Sequence, residues 1–219
     1  SCRSPPPRCG RNWRAPPPRE VEASDLDGDG DIDLSLACGN TTNGVVIYIN
    51  NGTQVFTKQI ASTGKSVIDI EVADWNGDGK PDILFSHNTA SPVNPQQEVV
   101  ALINNGGNLF TTTPLVINAE KGMGLKVADM DNDGDMDFVI GRNQQIRARM
   151  WLQTSTGLVG STISDVGSSS NTPQVIGLDI ADTNGDAKKE IVFADFSRDE
   201  LVLVSINCFT GATLSASKT

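Results

Sequence analysis

Four nine-residue acidic segments align without gaps in this chain of 219 residues, and they constrain its fold more than any other feature. They are Asp25-Leu-Asp-Gly-Asp-Gly-Asp-Ile-Asp33, Asp74-Trp-Asn-Gly-Asp-Gly-Lys-Pro-Asp82, Asp129-Met-Asp-Asn-Asp-Gly-Asp-Met-Asp137 and Asp182-Thr-Asn-Gly-Asp-Ala-Lys-Lys-Glu190, with first residues 49, 55 and 53 positions apart. A period near 50 residues means one structural unit repeated and stacked. Each segment is preceded by an apolar alternation: Val21 and Ala23, Ile70 and Val72, Leu125 and Val127, Leu178 and Ile180. That spacing marks a strand with one buried face. Directly after each segment the sequence predicts a second strand, over 32–36, 83–85, 138–140 and 191–193. A third is predicted over 45–49, 99–103, 146–152 and 201–206, and a weaker fourth over 55–60, 109–116, 158–163 and 212–217. The turns Asn50-Asn-Gly52 and Asn104-Asn-Gly-Gly107 separate third from fourth.

One four-stranded sheet cannot cover both of its faces, but sheets packed face to face around an axis can. The expected fold is therefore all-β. It is a β-propeller of four roughly 50-residue, four-stranded blades over residues 20–219, forming either a closed four-bladed ring or part of a larger propeller. A flat β-sandwich would not explain the fixed period.

Charge divides the chain at residue 19. Residues 1–19 hold five arginines, no acid and the near-repeat Arg3-Ser-Pro-Pro-Pro-Arg8 and Arg14-Ala-Pro-Pro-Pro-Arg19. Proline triplets favour a polyproline II rod and cannot join a sheet interior, so this stretch reads as an arm or linker. The whole chain carries −10, and residues 20–219 carry −15. An acidic body is a poor partner for nucleic acid. No apolar run approaches the ~18 residues of a membrane helix, and Ser1–Gly10 shows no signal-peptide core. The basic arm instead suits an acidic surface, its own or a neighbour's.

The acidic segments are built for a hard cation. Positions 1, 3, 5 and 9 carry a side-chain oxygen in all four copies. The predicted ligands are Asp25, Asp27, Asp29 and Asp33; Asp74, Asn76, Asp78 and Asp82; Asp129, Asp131, Asp133 and Asp137; and Asp182, Asn184, Asp186 and Glu190. Position 7 varies (Asp31, Lys80, Asp135, Lys188) and is expected to contribute its backbone carbonyl. Clustered carboxylates repel without a cation, and oxygen-only donors select Ca²⁺ over zinc or copper. An EF-hand begins in a similar way but needs Glu at position 12 between two helices. Position 12 here is Leu36, Phe85, Ile140 or Phe193, inside a predicted strand. Up to four structural Ca²⁺ ions are expected.

The alternating strand ending in Ala-Asp, the Asp-x-Asp-x-Asp-Gly-x-x-Asp loop, the short apolar strand, and the turns at Asn50–Gly52 and Asn104–Gly107 followed by Phe56 and Phe110 resemble the VCBS / FG-GAP repeat. The resemblance covers about residues 20–219. It implies an integrin-α-like propeller, usually of seven blades, with calcium in these loops. Such repeats occur in adhesion proteins, some lectins and accessory domains of secreted enzymes. The chain departs from the pattern in having four repeats, and in Ala187 and Glu190 of the fourth loop.

Four cysteines, Cys2, Cys9, Cys38 and Cys208, lack a Cys-x-x-Cys spacing. Their even number suits disulfides and an extracellular or cell-surface location. Three pairings are open; Cys38–Cys208 would join the first and last units of a closed ring, and Cys2–Cys9 would be local. Asn40-Thr-Thr42 and Asn51-Gly-Thr53 are glycosylation sequons in expected turns. His87, the single histidine, is expected in a surface loop within His87–Gln97, and no phosphate loop or cofactor fingerprint is present. The chain is therefore expected not to be an enzyme. It reads as a secreted, calcium-stabilised structural module that self-associates or attaches to a larger assembly through residues 1–19. The alternative is an adhesin or carbohydrate-binding lectin module, or an enzyme's accessory domain. A glycan ligand would stack on exposed aromatics, for which Trp75 and Trp151 are the candidates.

Overall fold

Period-2 alternation broken by Asp/Asn/Gly turns folds the chain into antiparallel meanders, seen in a computed structural model that describes residues 18–39, 42–62, 64–88, 97–119, 122–144, 146–164, 175–195 and 200–205. Blade 1 comprises β1 (Pro18–Ser24), β2 (Asp33–Cys38), β3 (Val45–Asn50) and β4 (Phe56–Ser62). Blade 2 comprises β5 (Ser66–Ala73), β6 (Asp82–Asn88), β7 (Gln97–Asn104) and β8 (Phe110–Ala119). Blade 3 comprises β9 (Gly122–Ala128), β10 (Asp137–Gln144), β11 (Ile146–Leu152) and β12 (Val159–Ser164). Blade 4 comprises β13 (Val175–Ala181), β14 (Glu190–Asp195) and β15 (Glu200–Ser205). Strand order within each sheet follows the sequence, and the four sheets form a four-bladed β-propeller. The fourth strand expected over 212–217 lies outside the described residues, as do residues 1–17 of the arm. Pro18 and Arg19, assigned to the arm by composition, belong to β1, where Pro18 opens the strand opposite Cys38; the first residue of a strand tolerates proline.

The repeat places equivalent side chains at equivalent interfaces. Leu26, Ala37, Val45 and Ile47 of blade 1 pack on Ile70, Ile83, Phe85 and Leu102 of blade 2. Trp75, Leu84, Val99 and Ala101 of blade 2 pack on Leu125, Phe138, Ile140 and Trp151 of blade 3. Met130, Val139, Ala148 and Met150 of blade 3 pack on Leu178, Ile191, Phe193 and Val204 of blade 4. The two tryptophans considered for sugar stacking are core residues: Trp151 stacks on Phe138 at 5.1 Å, and Trp75 meets the same ring at 5.8 Å.

His87 corrects an expectation. It is fully buried rather than in a surface loop. β6 runs on to Asn88 and pairs His87 with Val67 on one side and Glu98 on the other; its ring lies 5.8 Å from Phe85. The predicted second strand was too short because a polar Ser86-His-Asn88 ends it, and neighbouring strands satisfy that backbone regardless of side-chain polarity.

The first strands of the blades stand around an axis. β1 packs on β5, β5 on β9 and β9 on β13, and all four line one cavity of about 240 Å³. Carboxylates on the first strands stitch neighbouring blades there. Glu20 Oε2 accepts the Ile70 N–H at 3.1 Å, and Asp69 Oδ2 accepts the Leu125 N–H at 2.5 Å. The equivalent residues of blades 3 and 4 are Gly124 and Gly177, both on the cavity wall. Lys126 of β9 pairs with Glu71 of β5. Burial pushes Glu71 up to about 7 in spite of Lys126, and the charges of Glu22 and Glu20 add to the rise.

Candidate metal centres

Each acidic segment is the loop joining the first and second strands of its blade (loops 1 to 4), so the repeat sets four similar sites in one register. The residues at loop positions 4 and 6 take the left-handed conformation. Position 6 is Gly30, Gly79 and Gly134 at φ of 91°, 85° and 97°, and in loop 4 it is Ala187 at 66°. Loop 3 uses Asn132 at position 4, at φ 61°. These turns point backbone N–H groups inward at the position 1 carboxylate. Asp25 accepts from Gly28 (2.8 Å), Asp29 (3.1 Å) and Gly30 (2.9 Å). Asp74 accepts from Asp78 and Gly79, Asp129 from Gly134, and Asp182 from Gly185 and Ala187.

Positions 3 and 5 form successive side-chain turns. Asp27, Asn76, Asp131 and Asn184 each accept the N–H of position 5. Asp29, Asp78, Asp133 and Asp186 each accept the N–H of position 7. Position 7 enters this turn through its backbone N–H, which leaves its side chain to differ: Asp31 lies over Gly52 of the adjoining turn, and Lys80 turns back to Asp78.

Position 9 is the buried anchor. Asp33, Asp82 and Asp137 are fully buried and Glu190 nearly so. One oxygen of each accepts the N–H of position 2: Leu26 (2.9 Å), Trp75 (3.1 Å), Met130 (2.8 Å) and Thr183 (2.9 Å). The other oxygen of the three aspartates accepts the N–H at the far end of the third strand, from Asn50 (2.7 Å), Asn104 (2.7 Å) and Gln153 (2.8 Å). Glu190 instead takes the Asn184 side-chain amide at 3.2 Å. Position 9 therefore ties each loop to its own blade, and its remaining lone pairs are what it can offer a metal.

Two side chains that carried no such expectation from sequence, Asn104 of an expected turn and Gln153, join loops to the next blade. Asn104 Nδ2 donates to the Leu26 carbonyl at 2.7 Å, and Gln153 Nε2 to the Trp75 carbonyl at 3.4 Å. Both links span 78 residues. The signal was a carboxamide one residue past the expected third strand in every unit: Asn50, Asn104, Gln153 and Asn207.

The loops differ in how tightly their acids converge. In loop 1, carboxylate oxygens of Asp25, Asp27 and Asp29 lie within 4.8 Å of one another, and in loop 3 those of Asp129, Asp131 and Asp137 do so. Burial, with backbone N–H groups of Met130 and Gln153 opposing it and Asp131 and Asp133 adding to it, pushes Asp137 up to about 7. Asp131 is raised by burial and by the charge of Asp133. Asp27 is raised by desolvation and by Asp29, Asp33 and Asp25, against the Asp29 N–H. In loop 2, burial raises Asp82, while the Lys80 ammonium, 2.8 Å from Asp78 Oδ2, holds Asp78 low. At Asp182 desolvation acts upward but is outweighed by N–H groups of Gly185, Ala187 and Asn184.

The donor set is all oxygen, which suits a hard cation. Asp129 Oδ1 is buried without a hydrogen-bond partner, and a buried carboxylate oxygen left so calls for a cation or water. The residues present fit calcium.

Cys38 is fully buried at the end of β2. Cys2, Cys9, Cys208 and the sequon residue Asn40 lie outside the described residues. Asn51 is exposed, and its Oδ1 accepts from the Thr53 hydroxyl at 2.8 Å. Among the described residues no helix is long and apolar enough to cross a membrane.

A family model described as the FG-GAP-like repeat matches residues 25–85 and 129–193, together more than half of the chain. Each match begins at the first residue of an acidic loop (loops 1 and 3) and ends in the second strand of the following blade. No curated protein matches the chain.

Proposed function

The chain belongs to the FG-GAP-like repeat family, and from that premise we propose that it is a calcium-stabilised, non-catalytic interaction module of the extracellular space. One observation carries the reading: four loops in one register aim carboxylates inward, two of them with three acidic side chains in mutual contact range. Each loop bridges two strands of its own blade, so bound calcium would supply cross-linking charge to the fold and no reaction chemistry. Asp25, Asp27, Asp29 and Asp33 would hold the first ion, and the corresponding residues of the other loops the rest. The four cysteines and the exposed Asn51 sequon support an oxidising, secretory setting. Assembly through the basic arm is supported by charge: five arginines precede a body of −15.

An ion that binds only the folded state stabilises it by mass action. Thermal melting of the full chain in millimolar CaCl₂ against excess EGTA should show a marked drop in Tm on chelation. An identical Tm, with no calcium by elemental analysis, refutes the calcium reading. Removal of residues 1–17, which stops before β1, should keep Tm and calcium binding and abolish assembly measured as molar mass. Unchanged assembly would assign the arm to a linker.

A further inference from the structure

Resting on that calcium reading, we infer that the four loops are two classes of site: loops 1 and 3 take calcium with high affinity, and loops 2 and 4 keep their shape through donors of their own and fill only at higher calcium. Loops 1 and 3 carry five aspartates each and no cation, Asp25/27/29/31/33 and Asp129/131/133/135/137. Loop 2 sets Lys80 against Asp74, Asp78 and Asp82, a net −2. Loop 4 sets Lys188 and Lys189 against Asp182, Asp186 and Glu190, a net −1. Ligand charge is a principal control of calcium affinity in oxygen-donor loops.

Geometry divides the loops along the same line. In loop 2 the Lys80 ammonium sits 2.8 Å from Asp78 Oδ2, an oxygen at a ligand position. In loop 4 the Asn184 amide donates to Asp186 Oδ2 at 3.3 Å and to Glu190 Oε1 at 3.2 Å. One NH₂ group thus bridges positions 5 and 9, where an ion would otherwise draw them together. Among the described residues no amide or ammonium side chain bonds Asp27, Asp29, Asp131 or Asp133; the side chains of Asp131 and Asp133 meet each other instead, and these are the loops whose carboxylates crowd within 4.8 Å. The orphaned Asp129 Oδ1 also belongs to this class. A loop with its own donor loses hydrogen bonds when an ion enters; a loop without one loses only repulsion.

The unit period makes the classes alternate, so the strong sites stand on blades 1 and 3. Chelation would then loosen two blades and leave the loops of the other two closed.

Calorimetric titration of the full chain with CaCl₂ tests this. Two ions should bind roughly tenfold or more tighter than any others. Asn76→Asp with Lys80→Asp, which gives loop 2 the charge pattern of loop 1, should raise the tight stoichiometry to three; Asp27→Asn and Asp131→Asn should each lower it to one. Amide hydrogen exchange gives a second readout. On chelation Gly28, Asp29 and Gly134 should lose protection, while Gly79, Gly185 and Ala187 keep it. Four ions of equal affinity, or a tight count still at two in the doubly substituted loop 2, overturn the division and leave the calcium reading standing. No binding at millimolar calcium overturns both.

Discussion

Blades 2 and 3 meet very differently from blades 4 and 1. At the first junction Trp75 inserts from its loop, Leu125 is fully buried opposite it, and Asp69 ties the strands by accepting the Leu125 N–H. At the second, every equivalent position has changed. The loop residue matching Leu26, Trp75 and Met130 is the exposed Thr183. Val21, matching the buried Ile70, Leu125 and Leu178, is 55% exposed. Leu201, matching the fully buried Val45, Val99 and Ala148, is 67% exposed. Gly177 stands where Glu20 and Asp69 provide carboxylates. Among the described residues β13 and β1 lack the close packing that joins the other three pairs of first strands. The contrast teaches what a blade junction needs: a large apolar side chain at loop position 2 and another four residues before the loop of the next blade; a carboxylate just before the latter adds a tie at two junctions, but blades 3 and 4 pack closely with Gly124 in its place. Blade 1 still buries Leu36, Val46 and Tyr48 in a cluster of its own, so the difference lies at the margins of the faces.

Truncation of a side chain at each junction should show the widest gap between them. Phe138→Ala should cost about 3–5 kcal/mol, because a fully buried ring leaves a cavity between blades 2 and 3. Leu201→Ala should stay within about 0.5 kcal/mol. Equal losses in chemical denaturation would mean that the last junction is as tight as the internal ones.

The carboxylate stitches come next. Asp69→Ala should cost about 1–3 kcal/mol by leaving the Leu125 N–H unpaired, and should speed hydrogen exchange at that amide. Asp179→Ala on β13 should cost little, since among the described residues its Oδ1 reaches only the neighbouring Ile180 N–H.

A pH series sharpens the same point. Glu71 lies between blades 1 and 3, with its folded pKa raised from 4.5 to about 7. The folded chain therefore binds the extra proton, and this contribution is complete below 4.5 and lost as pH rises through about 7. Lys126, net raised by Glu71 against its own burial, holds its charge throughout that range. Tm should fall from pH 5 to pH 8 and do so less in Glu71→Gln; identical slopes would dismiss the axial cluster as the source.

The smallest expected effect is in the fourth loop. Ala187 holds φ 66° where the other units use glycine. Ala187→Gly should raise stability by up to about 1 kcal/mol, read from the denaturation midpoint, because a left-handed Cβ costs about 1–2 kcal/mol.

The period, the strand succession and the crowding of carboxylates in loops 1 and 3 were legible because each rests on local pattern: alternation, turn residues and fixed offsets from an aspartate. What escaped depends on which strand lies beside which. His87 looks like the start of a polar loop until β5 and β7 are placed on either side of it. Nothing near Asn104 or Gln153 in sequence shows that a carbonyl 78 residues earlier will lie within reach. Pro18 reads as rod until Cys38 is seen across from it. The buried role of position 9 was half legible, since an aspartate ligand was expected there, but the backbone groups it anchors come from the far end of another strand.

Strand order inside every sheet is the order of synthesis. A blade made this way needs no partner from a distant part of the chain, so each can close as soon as its own residues are available and then serve as a template for the next. Loop-closure entropy stays small at every such step. The one junction that would require the two ends of the propeller to find each other is also the one whose apolar margins, Val21 and Leu201, are left most exposed. Folding of this chain should accordingly spread from blade to neighbouring blade, with the end-to-end encounter last and least cooperative.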